Sequence, residues 1–600
     1  EILKGLSFKI NLGNNSYNYQ RKFFRPQYLV TNRDGSYNPT ASREDALLNE
    51  DYQFTQRNVL ENILTYNKEF GKHQLNITGV ASYEKFTSKQ LSTGIIGLLS
   101  NDTPVLGAGQ QATKPSSFDY VNTLSGLMGR VQYNYDDRYL ISGSYRRDGS
   151  SNFGQNNVYG DFFGVSAGWN ISEESFFSSN LIENLKLRGS YAQVGNQSIP
   201  PYTYASQIES GVNYLFGPSE DLYNGAIQRR YSNPNVQWES SISSNIGIDL
   251  SMLSNRVNFT ADIYKNEKQD MLLPRATPPS GGAYHPGAVG TYSPIIVNAG
   301  NMTNKGLELS LSYRTEYASG FKWSVASTFT KNINEITDLQ GIERGYGNGQ
   351  PTLSLGPNVD YTTFFAVGYE AGAFFLVQHD GIIKTQEDLA DYKKIEPSAK
   401  LGDMKYKDQL TEDTNGDGIP DAGNGKIDEN DRVYSGSGQS DFDMGLNLTF
   451  EYKGFDLFVQ NYLSYGAKIY NGSRMYAYTQ GRHLDQYYMW TPQNADSDIP
   501  TDRGDGYHNN VRARSDFFLE DGSYFRVRNI TLGYTIPVAA TGKIGVNKAR
   551  IYGTAMNPFT FTEYTGYDPE VGGNGISTRG VDQGNYPVSR RFIFGVQIQF

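Results

Sequence analysis

The sequence predicts an all-β protein, a transmembrane antiparallel up-and-down β-barrel with long extracellular loops. Three observations carry this. Segments of about ten residues with strictly alternating apolar and polar side chains recur along the whole chain. The connections between them are short and long in turn. The composition is poor in core-forming residues and rich in glycine and aromatic rings, with 38% hydrophobic residues, 14% aromatic residues, 45 Tyr, 32 Phe and 64 Gly in 600.

The final segment shows the pattern. In RRFIFGVQIQF, Phe592, Phe594, Val596, Ile598 and Phe600 fall on one face, and Ile593, Gly595, Gln597 and Gln599 on the other. Side chains alternate across a strand, so one face is apolar throughout. In a soluble sheet that face is the core; in an outer-membrane barrel it faces lipid and the polar face lines the lumen. Similar alternation runs through LKLRGSYAQV (Leu185, Leu187, Gly189, Tyr191), GLELSLSYR (Leu307, Leu309, Leu311, Tyr313), DMGLNLTFEY (Met444, Leu446, Leu448, Phe450, Tyr452) and NITLGYTI (Ile530, Leu532, Tyr534, Ile536). No stretch of comparable length has helical periodicity.

The connections decide between the two. YDDRY (135–139), LSNR (253–256), YASG (317–320) and YKG (452–454) are tight. They alternate with long connections near Arg147–Tyr159, Gly195–Glu239, Lys268–Gly306, Asn334–Ser440, Ala467–Gly522 and Asn557–Arg590. Counting in this way gives about sixteen strands. A soluble sandwich has no reason to place every long loop at one end, whereas outer-membrane barrels combine short periplasmic turns with long extracellular loops. The strand ending on Phe600 is expected to close the wall and to carry the terminal aromatic signal read by the outer-membrane insertion machinery.

Composition narrows the function. A mean hydropathy of -0.55 suits a wetted all-β protein. No apolar run approaches the ~20 residues of a membrane helix, so a membrane role requires a barrel. A net charge of -10 disfavours nucleic acid as partner, since phosphate binding needs a basic face. With no cysteine there are neither disulfides nor thiolate metal sites. The chain opens on EILKGLSFKINLG, already strand-like and without a signal-peptide pattern, as expected of a mature form or of a sequence whose front is missing.

Several stretches resemble one family closely: YLISGSYRRDGSSNFG (139–154), FGVSAGWNISEESFF (163–177), NPNVQWESSISSNIGIDLSML (233–253), NAGNMTNKGLELSLSY (298–313), SYFRVRNITLGYTIP (523–537) and NPFTFTEYTGYDPE (557–570). They are similar to the C-terminal barrel of SusC/RagA-type TonB-dependent transporters of Bacteroidota outer membranes. The resemblance implies an importer of glycan or peptide fragments. It further implies a SusD-like surface lipoprotein as lid and energy from the TonB complex through an N-terminal part, including a plug, that this sequence lacks. About 22 strands are expected of such a barrel, leaving about six outside this chain. Residues 1–600 are thus expected to be the C-terminal part of the receptor barrel. The alternatives are a passive porin of about sixteen strands and a barrel-anchored surface docking or assembly component.

The most specific local signal lies in the loop 334–440, in KYKDQLTEDTNGDGIPDAGNGKIDENDRVYSG (405–436). Asp413, Asn415 and Asp417 occupy positions 1, 3 and 5 of a calcium loop. Gly418 supplies the turn at position 6, Ile419 stands at the backbone-carbonyl position 7 and Asp421 at position 9. Position 12 is Asn424 rather than a bidentate acid. A second register treats IPDAGN as an insertion and closes the site with Asp428 and Asp431. A structural Ca²⁺ that stiffens segment 413–431 is the reading; a solvated loop of Asx turns is the alternative.

Aromatic rings crowd other loops: Tyr470, Tyr476, Tyr478, Tyr487, Tyr488 and Trp490 in 468–490, with more in 201–216 and 279–292. Each ring is expected to pack within its loop rather than to touch a ligand, and no substrate-binding residue is assigned. Arg146 and Arg147 are expected in ion pairs. Arg526 and Arg528 share a strand face expected to meet the plug. The histidines His73, His285, His379, His483 and His508 are scattered, and there is no HExxH, GxSxG or P-loop. GGNGIS (572–577) lacks the strand-before, helix-after setting of a phosphate loop. No enzyme is expected.

Overall fold

The computed structural model describes residues 4–210, 214–218, 220–275, 295–341, 344–346, 361–504, 512 and 514–600. Its main sheet has seventeen strands, the four-residue Gly109–Ala112 and sixteen long ones. The long strands are β1 (Leu6–Arg25), β2 (Leu47–Phe70), β3 (His73–Leu98), β4 (Ser116–Tyr135), β5 (Tyr139–Ser150), β6 (Tyr159–Asn170), β7 (Ile182–Asn196) and β8 (Glu239–Met252). They continue as β9 (Val257–Gln269), β10 (Asn301–Glu316), β11 (Lys322–Asp338), β12 (Phe442–Tyr452), β13 (Phe455–Tyr465), β14 (Tyr524–Ile536), β15 (Lys548–Thr562) and β16 (Arg591–Gln599). The chain divides into two compact units. The first holds 1–169, 190–242 and 268–299, and the second 170–189, 243–267 and 300–600.

In the first unit β1 to β6 pair antiparallel in sequence order. The turns at 71–72 and 136–138 are tight, and the opposite connections 26–46, 99–115 and 151–158 are longer. Asp136 and Asp137 both hold φ at 54°, a left-handed pair that Asp tolerates and whose twist suits a hairpin. The buried core lies under the longer connections: Phe153, Phe162, Ile199, Val236 and Trp238 pack together. The NPNVQW segment enters this cluster through Val236 and Trp238, and the Trp238 indole donates to the Val158 carbonyl at 3.3 Å.

In the second unit β10 to β16 pair antiparallel, again in sequence order. Turns 253–256, 317–321, 453–454 and 537–547 oppose the long connections 339–441, 466–523 and 563–590. The two-residue turn Lys453–Gly454 has φ of 48° and 88°, the left-handed pair of a type I′ hairpin. The predicted alternation of strand faces holds: Leu311, Leu532, Phe594 and Phe600 are exposed on the outward face. Arg147–Ser150, placed in a connection on sequence grounds, continue β5, and the strand expected from Gly306 begins at Asn301.

Candidate functional site

The second unit keeps most of its buried apolar residues off the strands, in the layer built by its long loops. Phe374, Leu376, Tyr470, Met475, Tyr478, Phe518 and Val581 form one cluster. Short strands position them. Lys468–Asn471 runs antiparallel to Leu519–Asp521 and parallel to Val581–Asp582, while Ala373–Val377 pairs with Arg432–Tyr434. A helix, Gly472–Thr479, starts at Asn471, whose buried side chain accepts the Arg474 N–H at 2.9 Å.

The last loop, 563–590, threads into this layer. The Thr363 hydroxyl donates to the Ser577 carbonyl at 2.6 Å, and the Tyr470 N–H to the Gly580 carbonyl at 2.8 Å. The Tyr564 hydroxyl donates to buried Asp582 at 2.5 Å. Burial and that carboxylate push the Tyr564 phenol up. GGNGIS is part of this structure: the Asn574 side chain accepts the N–H groups of Ile576, Ser577 and Thr578, so the loop binds itself.

Arg526 anchors the same loop. It is 1% exposed and donates to Thr560 at 3.0 Å, to Glu570 at 2.7 Å and to Asp568 at 2.7 Å. Arg528 reaches Glu570 at 3.0 Å and lies over the Tyr462 ring at 4.6 Å. Carboxylates of loop 563–590 thus take both arginines within this chain. Arg146 and Arg147 are ion-paired as expected, to Asp148 at 2.7 Å and Asp161 at 3.7 Å.

The aromatic loop 468–490 divides. Tyr470, Tyr478 and Trp490 are buried, which is the expected packing role, and burial pushes the Tyr478 phenol up to about 12. Leu484, Tyr487 and Tyr488 stand out into solvent, with Tyr487 84% exposed and its ring 5.3 Å from that of Tyr488. These exposed rings are the surface of this loop able to stack on a flat ligand or partner. Within 201–216, Tyr204 packs against the core of the first unit and Tyr202 is exposed. The stretch 279–292, with His285, and His508 lie outside the described residues.

The seven residues of the calcium reading all lie in the described segment. Asp413 accepts the N–H groups of Gly416 and Gly418, both at 2.7 Å, and these amides hold its carboxyl below the usual range. Asn415 and Asp417 accept from Asp417 and Ile419. Asp421 turns back to Thr414, whose backbone and hydroxyl both donate to it at 2.8 Å and keep it ionised. Asp428 caps the turn 429–431, and fully buried Asp431 accepts from Gln409 and Asp428. Thus Asp413, Asn415, Asp417 and Ile419 share one turn, and Asp421 joins it through Thr414. Asp428 and Asp431 belong to the capping box that follows. Among the described residues no three acidic, His or Cys side chains converge as a metal cluster. The donor chemistry nonetheless suits a hard cation, since each carboxylate oxygen has a lone pair beyond the one its amide uses.

One histidine ties two loop segments. The His379 ring shares a 2.6 Å hydrogen bond with Asp516, whose carboxylate also accepts the His379 N–H, and the ring meets Phe517 edge-on. The Asp516 hydrogen bond raises the His379 pKa above its ordinary 6.5, with Asp380 adding to it against the cost of burial. A raised folded-state pKa means stabilisation complete below the unfolded value and lost as pH climbs through the folded one. His379→Gln is expected to increase protease cleavage of this loop layer at about pH 5.5 and to have little effect at about pH 8.5. An equal effect at both pH values would contradict the charged pairing.

With this geometry described, comparison with known proteins is informative. The family model for the TonB-dependent receptor-like β-barrel matches residues 3–392. TonB-dependent receptor P3 of Formosa agariphila is 30% identical over 612 residues, covering 100% of this chain and 57% of the relative. TonB-dependent receptor SusC of Bacteroides thetaiotaomicron is 29% identical over 494 residues, covering 80% of this chain and 44% of that protein. The chain thus spans about half the length of the curated relatives it matches. In fold it is similar to a chain in the structure of the RagAB peptide transporter, with a TM-score of 0.79 at 23% identity, over 100% of this chain and 60% of that one.

Proposed function

Because this chain belongs to the TonB-dependent receptor-like β-barrel family, we propose that it forms most of the wall and outer loop layer of an energy-driven nutrient importer. The protein works in the outer membrane of a Bacteroidota-type bacterium and is a transporter, not an enzyme. A SusD-like lipoprotein covers the loop layer, a glycan or peptide fragment is held between lid and barrel, and the TonB complex supplies the energy through a part of the protein outside this chain. The observation that carries the reading is the loop layer itself. Strands alone suffice for a passive pore, whereas loops 339–441, 466–523 and 563–590 build a packed surface with Tyr487 and Tyr488 exposed on it. The test uses the intact protein in its native bacterium. Co-purification with a surface lipoprotein is expected, together with uptake of labelled oligosaccharide or peptide that stops when TonB is deleted. Uptake indifferent to TonB, with ion conductance in a planar bilayer, would make it a porin. A stable partner with no role in uptake would make it a docking component.

The acidic segment 413–431 is proposed to bind a structural Ca²⁺ through Asp413, Asn415, Asp417, the Ile419 carbonyl and Asp421, with Asp428 and Asp431 buttressing the turn that follows. The support is residue type and spacing, together with a turn whose amides hold Asp413 and Asp421 ionised. A cation that binds only the folded state adds about 2.7 kcal/mol at a hundred times its Kd. Removal of calcium with a chelator is expected to speed proteolysis within 405–436 severalfold, with full rescue by added Ca²⁺ and none by Mg²⁺. Identical cleavage with and without chelator would refute the site.

A further inference from the structure

The outward face of β10 to β13 carries its own depth scale. Near the short turns, the rings of Tyr313 and Trp323 lie 5.1 Å apart and those of Phe321 and Tyr452 6.3 Å apart. Towards the long loops, Phe442 stacks on Phe329 at 5.6 Å and on Tyr465 at 5.3 Å. Between the two groups lie Leu309, Leu311, Val325, Leu446 and Leu448, on the alternation that exposes Leu311. Two aromatic girdles around an apolar band mark the two surfaces of a bilayer.

Two lysines stand just beyond the upper girdle on the same face. Lys331 follows Phe329 by one outward position, and Lys305 opposes Ile333, which is exposed on that face. Strands rise ~3.4 Å per residue, which puts Lys331 roughly 27 Å along the tilted strand from Trp323, against a lipid-facing band about 25 Å tall. Both ammonium groups are therefore at headgroup level on the side of the long loops. Because Lys331 opposes Leu307, the two lysines are diagonal neighbours across β10 and β11. Such neighbours are about 7–8 Å apart, and like charges so placed repel, more strongly beside hydrocarbon than in water. Carboxylates are close at hand: Glu335 on the other diagonal of Lys305, and Glu370 and Asp441 in the cleft that Lys331 rims. Yet among the described residues neither lysine makes an ion pair or a hydrogen bond through its side chain. Other outward cations do, Lys265 with Glu267 at 2.7 Å and Arg147 with Asp161 at 3.7 Å.

We infer that Lys305 and Lys331 together hold the phosphate of an outer-leaflet glycolipid of the lipid A type. A phosphate monoester carries about -1.5 to -2 charges at neutral pH and three acceptor oxygens. One such group takes a charge-assisted hydrogen bond from each ammonium and cancels their repulsion. The acyl chains of the same lipid run down Leu307, Leu309 and Leu311, contacts that a free phosphate cannot make. The inference rests on the outward placement of this face in an outer membrane and is independent of what is transported.

The test titrates the intact protein, purified in detergent, with bis-phosphorylated lipid A and counts bound lipid by native mass spectrometry. Lipid A is expected to bind, and its dephosphorylated counterpart to bind about tenfold or more weakly, the worth of one charge-assisted hydrogen bond. Lys305→Gln combined with Lys331→Gln should lose the same factor, whereas Lys305→Arg combined with Lys331→Arg should retain binding. Lys453→Gln, the same charge change at the short turn 453–454, should leave it unaltered. Equal binding of the two lipids by the unaltered protein, a comparison that needs no variant, overturns the inference. So does a double glutamine variant that holds lipid A as before, or an equal loss in Lys453→Gln. Displacement of the lipid by excess inorganic phosphate also overturns it, since the site would then belong to the free ion.

Discussion

Arg526→Met should be among the most damaging single substitutions in this chain, lowering stability of the loop layer by about 3–5 kcal/mol, the cost of breaking a buried ion pair from one side. The guanidinium is 1% exposed and holds Asp568, itself only 14% exposed, so removal leaves a desolvated carboxylate without a counter-charge. Glu570 suffers less, because it is 39% exposed and keeps Arg528. The variant should therefore lose the attachment of loop 563–590 while the strands stay formed. Limited proteolysis would show new cleavage within that loop at temperatures where the barrel still runs as folded protein on a gel. Arg528→Met, at 32% exposure, is expected to cost no more than about 1 kcal/mol. Adding Asp568→Asn to Arg526→Met should restore part of the loss, since the stranded charge is then gone. If Arg526→Met and Arg528→Met behaved alike, burial would not be what makes Arg526 matter.

Gly580→Ala is expected to act as strongly by a different route. Its φ is +75°, and an added Cβ would fall 2.5 Å from the Lys468 carbonyl oxygen and 2.7 Å from the Gly438 Cα. Both are backbone atoms and have no rotamer with which to retreat. The left-handed conformation alone costs an alanine about 1–2 kcal/mol, and overpacking adds about 1–3 kcal/mol. Gly575→Ala is the matched control, with φ +76° in the same loop and open space around the new methyl. It should show only the conformational part. Thermal unfolding followed by tryptophan fluorescence separates the two, because Trp490 is buried in this layer. Equal shifts for the two variants would place the whole effect in φ.

The wall was legible from residue order because its physics is local. Alternation of period two, a Lys-Gly turn and an apolar face ending on Phe600 each specify themselves within a few residues. The loop layer was legible only as loops. Tyr478 and Tyr487 have the same chemistry nine positions apart, and what buries one and exposes the other is contact with Phe517 and Phe518, some forty residues on. Arg526 announced an inward charge, but its partners Asp568 and Glu570 lie 42 and 44 residues away, and alternation cannot point to them. Acidic residues at calcium-loop spacing were visible at once. The capping box that engages Asp428 and Asp431 was not, since the same side chains serve an ion or a backbone amide equally well.

The route of loop 563–590 bears on how the molecule comes into being. Val581 lies beside Tyr470 in a parallel pair, and Ser577 meets Thr363 across 214 residues of chain. A segment that follows the other loops of this unit in sequence thus occupies the middle of a structure begun by the earlier ones. Contacts of such sequence separation form late, after the closure entropy of the intervening chain has been overcome. The strands can zip from neighbour to neighbour, but the loop layer must wait for the connection between β15 and β16. Formation of that layer is therefore late relative to its strands, and a chain arrested before loop 563–590 would carry the earlier loops without the segment that packs among them.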